Sequence, residues 1–126
     1  MANDFSHLNA AGDPTMVDVS EKQVTERIAQ AQSTLEMDPE IIARFENDDI
    51  HTKKGPVFQT AIIAGVMAAK KTSDLIPLCH PIGLDKCTID IYLNDAKQVV
   101  VDCIVKVVSK TGVEMEALTG ASVAAL

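Results

Sequence analysis

The stretch Val99 to Val108 reads Val-Val-Val-Asp-Cys-Ile-Val-Lys-Val-Val, and it constrains the fold more than any other part of the chain. Side chains branched at Cβ lose rotamer freedom in a helix and suit a pleated surface, so this run is a strand. Just before it, Cys87-Thr88-Ile89-Asp90-Ile91-Tyr92-Leu93 alternates apolar and polar residues, and Asn94-Asp95-Ala96-Lys97 supplies a turn. Such a pair has one buried face and one face that is wet or covered by a partner. The rest of the chain must supply the layer that buries it.

Helical signals provide that layer. Gly55-Pro56 introduces a helix whose face Val57, Phe58, Ala61, Ile62, Ala64, Gly65 and Ala68 is broad and built of small residues, with Lys70-Lys71 as favourable cations at its end. Gly65 in mid-helix costs about 1 kcal/mol relative to Ala, which points to close approach by a neighbouring backbone. Ser109-Lys110-Thr111-Gly112 leads into a last helix from Val113 to Leu126. Asp38-Pro39-Glu40 carries an N-cap, a proline at the first position and an acid in the first turn, predicting a helix to about Glu46. Met16 to Ser20 could begin a strand. Glu21 to Met37 fits helical and strand periods alike. The class is α+β: a two-layer sandwich of antiparallel sheet and helices, compatible with a ferredoxin-like order. Residues 1–15 read as an irregular segment and 16–126 as a single domain.

Composition excludes several functions. With 126 residues, no Trp, one Tyr and three Phe, the core must be made of Val, Ile, Leu, Ala and Met. A net charge of −7 argues against a broad nucleic-acid surface, though not against a small anionic ligand. No apolar run reaches the length of a membrane span and the N-terminus lacks a signal-peptide pattern, so a cytoplasmic location is expected. The cysteines are Cys79, Cys87 and Cys103; an odd number without C-x-x-C spacing argues against a disulfide framework, and a zinc site of Cys79, His80 and Cys87 is a weaker alternative because the usual ligand spacing is missing. No metal or cofactor is expected.

Chemistry concentrates in Asp74-Leu75-Ile76-Pro77-Leu78-Cys79-His80-Pro81. Two prolines push their predecessors toward extended backbone and hold a thiol and an imidazole still. The second candidate stretch is Lys110-Thr111-Gly112-Val113-Glu114-Met115-Glu116-Ala117-Leu118-Thr119. Two acids two residues apart on a helix point about 200° from each other, so they should not both face one pocket. Each feature also has a plain reading: His80 as a hydrogen-bonded turn residue, Lys54 as an exposed cation, Asp18 as a turn cap, the acids as partners of the helix dipole.

Together with Met16-Val17-Asp18-Val19-Ser20, Lys54-Gly55, Ala64-Gly65 and Ala68-Ala69-Lys70-Lys71-Thr72, these stretches resemble the C protein of molybdenum-cofactor biosynthesis, the cyclic pyranopterin monophosphate synthase family. The resemblance implies a ferredoxin-like subunit in a homo-hexamer, a trimer of dimers with sites between subunits. It implies a lyase that converts a cyclised, GTP-derived triphosphate to a pterin with a cyclic phosphate and releases pyrophosphate. It assigns substrate binding to Leu78, Cys79, His80, Met115 and Glu116, and catalysis to Lys54, His80, Glu116 and Asp18.

Two departures accompany it. Family members continue past the position of Leu126, with a further acid and lysine. A shortened chain of this kind is expected to turn over poorly, the alternative being a binding or assembly module of the same fold. Gly120 stands where the family usually carries a methyl-bearing small residue, and is expected to loosen the last helix slightly.

Overall fold

In the computed structural model, which describes residues 6–126, the valine-rich run is the middle strand of the main sheet. Strand β1 (Thr25–Leu35) and strand β5 (Lys86–Leu93) flank β6 (Val99–Ser109), all antiparallel, in the order β1-β6-β5. Helices α2 (Val57–Lys70) and α4 (Glu114–Ala125) pack on one face, so the element order and layering are those of the ferredoxin-like class. Alternate β6 residues Val101, Cys103, Val105 and Val107 point into the core beneath the helices. The Asp90, Tyr92, Ile104 and Lys106 face points away, as the alternation requires.

The ambiguous stretch is resolved as β1. Its inward residues, Ala29, Ala31, Ser33 and Leu35, are mostly small because α4 lies directly over them; the Ser33 hydroxyl donates to the Ala121 carbonyl at 2.9 Å. Small inward residues blur the alternation, which is why the sequence fitted two periods. Met16 to Ser20 forms no strand.

The helix predicted from Asp38 to Glu46 is much shorter. Asp38 caps it as expected, accepting from the Glu40 N–H at 2.9 Å, but α1 covers only Pro39–Ile42. The chain then pairs Phe45 with Ile50 and Glu46 with Asp49, as β2 (Phe45–Glu46) and β3 (Asp49–Thr52). Asn47 and Asp48 turn between them with φ of 51° and 62°, the paired positive values of a tight hairpin turn. Strand β3 in turn pairs with β4 (Gly55–Pro56). Burying Phe45 beside Phe58, with ring centroids 5.7 Å apart, outweighs another turn of helix.

Asp49 fixes this hairpin to α2. Its buried carboxylate accepts from the backbone N–H groups of Ile50 at 2.6 Å, Phe58 at 2.7 Å and Gln59 at 3.2 Å. Burial opposes ionisation, yet the three donors prevail and hold the carboxyl below its ordinary range.

The two helices meet at glycines. A Cβ on Gly65 would lie 2.5 Å from Ile89 Cδ1 and 2.9 Å from the Gly120 carbonyl, so the close approach expected at Gly65 is present. A Cβ on Gly120 would lie 2.7 Å from the sulfur of Cys103, which is fully buried. Gly120 is thus matched to the cysteine beneath it. Gly120→Ala gains about 1 kcal/mol of helix propensity but incurs overpacking of about 1–3 kcal/mol. Urea unfolding should find Gly120→Ala neutral to destabilising in the natural background and stabilising once Cys103→Ala has removed the sulfur. Equal effects in the two backgrounds would contradict the pairing.

Candidate active site

After α2, the short helix α3 (Thr72–Leu75) is anchored by the buried Thr72, whose hydroxyl donates to the Ala69 carbonyl at 2.8 Å. The proline-flanked segment follows as an extended loop. Its far end is fastened to β6: the Asp85 N–H donates to the Lys106 carbonyl at 3.0 Å, and the Asp85 carboxylate accepts from the Val108 N–H at 2.9 Å. Ile82 and Leu84 pack against the core. Between these anchors Leu78 holds φ at +64°, a region that L-residues enter at a cost of about 1–3 kcal/mol. That backbone kink sets Cys79 and His80 against the start of α4.

There a cleft of about 380 Å³ opens. Leu78, Cys79 and His80 form one wall; Thr111, Gly112, Glu114, Met115 and Glu116 form the other. Five of the residues singled out from sequence therefore line one space. The walls touch where the Cys79 thiol donates to Glu116 Oε2 at 3.6 Å. Burial, the Glu116 charge and that same hydrogen bond push the Cys79 thiol up to about 11, so it is not a thiolate at neutral pH. Glu116 is only 2 % exposed, and burial pushes its carboxyl above the ordinary range despite the Cys79 contact.

The expectation that the two glutamates cannot share a pocket fails. Glu116 enters from within, and Glu114 bends back over Gly112, whose missing Cβ leaves room for the carboxylate. At the first turn of a helix a side chain can fold across the preceding residue, which the simple angular argument ignores.

Asp18 and Lys54 lie outside the cleft lining. Asp18 is exposed; hydrogen bonds from the Ser20 backbone and side chain hold its carboxyl below its usual range, and the nearby His80 adds to the effect. It is thus an electrostatic neighbour of the cleft. Lys54 sits in the β3–β4 turn, where its N–H donates to the Thr52 hydroxyl at 3.2 Å. This turn precedes α2, whereas the cleft loop follows it; a helix of 14 residues separates the two by about 21 Å. Within one chain, Lys54 does not meet His80 or Glu116.

His7 also lines the cleft, and the sequence reading missed it. Residues 6–15 belong to no helix or named strand and form a turn-rich loop held by hydrogen bonds: Leu8 bridges to Pro14, and Asn9 Oδ1 accepts from the Ala11 and Asp13 N–H groups at 2.9 and 3.0 Å. Residues 1–5 of the segment expected to be irregular lie outside the described residues. Asn9, Gly12 and Pro14 are turn residues that could have marked this loop. Cys87 and Cys103 belong to the core, as expected. Among the described residues no group of three or more His, Cys, Asp or Glu is disposed to hold a metal ion, and no helix is long and apolar enough to cross a membrane.

Comparison with known proteins shows which family this chain resembles in sequence. The sequence profile described as the MoaC family matches residues 16–126. The chain is 50 % identical over 122 residues to the cyclic pyranopterin monophosphate synthase of Xanthomonas campestris pv. campestris (strain 8004), covering 97 % of this chain and 74 % of that protein. It is 48 % identical over 141 residues to molybdenum cofactor biosynthesis protein 1 of Dictyostelium discoideum, covering 98 % of this chain but only 22 % of the relative. The chain thus spans under a quarter of one relative and about three quarters of the other.

The buried carboxyl yields a pH prediction. A carboxyl whose pKa is raised on folding binds its proton more tightly in the folded state, so its stabilising contribution is complete below the unfolded value of 4.5 and is lost as pH rises through the folded one. Glu116→Gln abolishes that loss. Thermal unfolding should show Glu116→Gln more stable than the natural chain at pH 7, with the gap closing as the pH approaches 4. A gap that widens on acidification would mean that the carboxylate is stabilised by folding.

Proposed function

The chain belongs to the MoaC family, and from that premise we propose that it acts as a cyclic pyranopterin monophosphate synthase, a lyase of molybdenum-cofactor biosynthesis working in the cytoplasm. Its substrate is a cyclised, GTP-derived triphosphate, and its products are a pterin bearing a cyclic phosphate and pyrophosphate. The observation that carries this reading is the Cys79–Glu116 contact, which joins two sequence-distant stretches into one cleft. Residues 16–126 act as one α+β domain.

The cleft suits the chemistry. Opening and reclosing a purine-derived ring needs proton transfers near neutral pH, and His80, half-buried between Pro77 and Pro81, is the donor and acceptor. Asp18 lies close enough to His80 for the two to interact electrostatically. Glu116, raised by burial, accepts from the N–H edge of the ring or passes a proton to it. Leu78 and Met115 supply apolar contact, and the Cys79 thiol stays neutral and orients Glu116.

Cyclising the phosphate and expelling pyrophosphate builds charge on several oxygens, which calls for a fixed cation. We assign that role to Lys54 of a neighbouring copy in a homo-hexamer arranged as a trimer of dimers. The distance between Lys54 and the cleft within one chain supports a site shared between subunits.

The test is pyrophosphate release from the cyclised triphosphate by this chain. His80→Ala should lower kcat by about 10²–10⁴-fold, and Lys54→Ala should lower it comparably. Mixing inactive Lys54→Ala and His80→Ala subunits should restore activity that neither has alone. Absence of any pyrophosphate release by the natural chain overturns the reading; absence of restoration overturns the shared site.

A further inference from the structure

We propose that His7 is a substrate-contacting residue of the cleft, donating a hydrogen bond to a phosphate oxygen of the nucleotide-derived triphosphate. The inference rests on the function proposed above and adds a residue which that function does not assign.

The first support is that the loop carrying His7 is built to hold it. The His7 carbonyl accepts from the Thr15 N–H at 2.6 Å, closing residues 7–15 on themselves beside the Leu8–Pro14 bridge. Inside, Asn9 accepts twice through its side chain and once through its carbonyl, from the Gly12 N–H at 2.9 Å. Gly12, at φ +83°, makes the turn possible.

A second support is where the segment is tied down. Further along, Lys110 Nζ donates to the Ser20 carbonyl at 3.1 Å, while the Lys110 carbonyl accepts from Arg27 Nη2 at 3.4 Å. Lys110 immediately precedes Thr111 and Gly112 of the cleft wall. One end of the arm is therefore fastened to the connection that forms the site, and the other presents His7 to the same space. Asp18, between the two, lies near His80.

The third support is chemical balance. Among the described residues no lysine or arginine lines the cleft, and two of its walls' side chains are carboxylates. Glu114 and Glu116 can accept hydrogen bonds from a ring edge, but they repel phosphate oxygens. His7, His80 and Thr111 are the lining side chains able to donate to such oxygens. His80 sits in the loop wall, whereas His7 comes from a separate segment and is exposed, free to turn its ring toward a ligand. The cleft thus has an acceptor side for the ring and a donor side for phosphate.

Steady-state kinetics with the cyclised triphosphate should find that His7→Ala raises KM roughly tenfold, the usual scale for a lost hydrogen bond to a charged group, with kcat changed less than about threefold. His7→Asn, which keeps an N–H donor, should recover part of the loss. Asn9→Ala, which loosens the loop and leaves the imidazole in place, should move KM the same way by less. The thermal midpoint of His7→Ala should match that of the natural chain, because an exposed imidazole contributes little packing.

A readout independent of turnover uses inorganic tripolyphosphate as probe and follows the imidazole resonances of His7 and His80. Both should shift along one binding curve. Kinetics of His7→Ala within about twofold of the natural chain, or tripolyphosphate that leaves the His7 resonance in place, would overturn the proposal. A chain that releases no pyrophosphate while His7 follows tripolyphosphate loses the functional reading and keeps the His7 contact. An active chain indifferent to His7→Ala loses the contact and keeps the reading.

Discussion

The close contact of α2 and α4 through Gly65 and Gly120 is the constraint on which the rest of the molecule depends. A Cβ on Gly65 would press on Ala124 and the Gly120 carbonyl of α4 at 2.9 Å and hold the axes apart, while one on Gly120 would strike Cys103 of β6 at 2.7 Å and lift α4 from the sheet. With the axes close, α4 settles over β1 and β6, burying Ala117, Ala121 and Ala124 on the valine-rich strand. The start of α4 then reaches the loop that follows α2. Glu116 and Ala117 are adjacent residues, one lining the cleft and the other in the core. Helix packing and site geometry are consequently set by the same few residues, and a change at Gly120 is felt at Glu116 one turn away.

That coupling accounts for the ionisation pattern. The packing that buries Ala117 also takes Glu116 out of water, and the Cys79 thiol is its hydrogen-bond donor from the opposite wall. Burial raises both groups; the Glu116 charge and hydrogen bond raise Cys79 further, whereas the same contact offsets only part of the rise at Glu116. Asp49 shows the contrast. Also largely out of solvent, it accepts from two backbone N–H groups at the N-terminus of α2 and from that of Ile50 in β3, which hold its carboxyl below the ordinary range. Backbone donors at Asp49 and deeper burial at Glu116 together separate a carboxylate that fastens the fold from a carboxyl poised to exchange a proton.

Much of this was legible in the sequence where one physical preference dominated. The β-branched run could only be a strand, Gly65 could only mark close approach, and the two prolines could only present Cys79 and His80 from extended backbone. Legibility failed where tertiary contacts outweighed local signals. Asp38-Pro39-Glu40 starts a helix in any context, but its length was decided by Phe45 packing on Phe58, and the Asn47-Asp48 turn was its local trace. In β1 the small residues demanded by α4 erased the alternation. His7 was hidden for another reason: a polar loop closed by its own hydrogen bonds carries no apolar period, so only Asn9, Gly12 and Pro14 hinted that it is ordered.

The placement of positive charge carries the argument furthest. The proposed triphosphate brings several negative charges, yet among the described residues the cleft of one chain presents two carboxylates and no lysine or arginine. Lys54 is held in a turn that Asp49 pins to the opposite end of α2, so no rearrangement short of unfolding that end could bring it to His80 in the same chain. Under the proposed function, a cleft of this composition offers acceptors for a ring edge but no fixed cation for the developing charge of pyrophosphate. Cations must arrive from outside it. A second copy offers its own Lys54 on an exposed turn, and closed symmetry would let every copy both give and receive that amine. Under the proposed function, oligomerisation would be part of the chemistry: the fold places the cleft carboxyls and Lys54 at opposite ends of α2, and association of copies would bring them to one substrate.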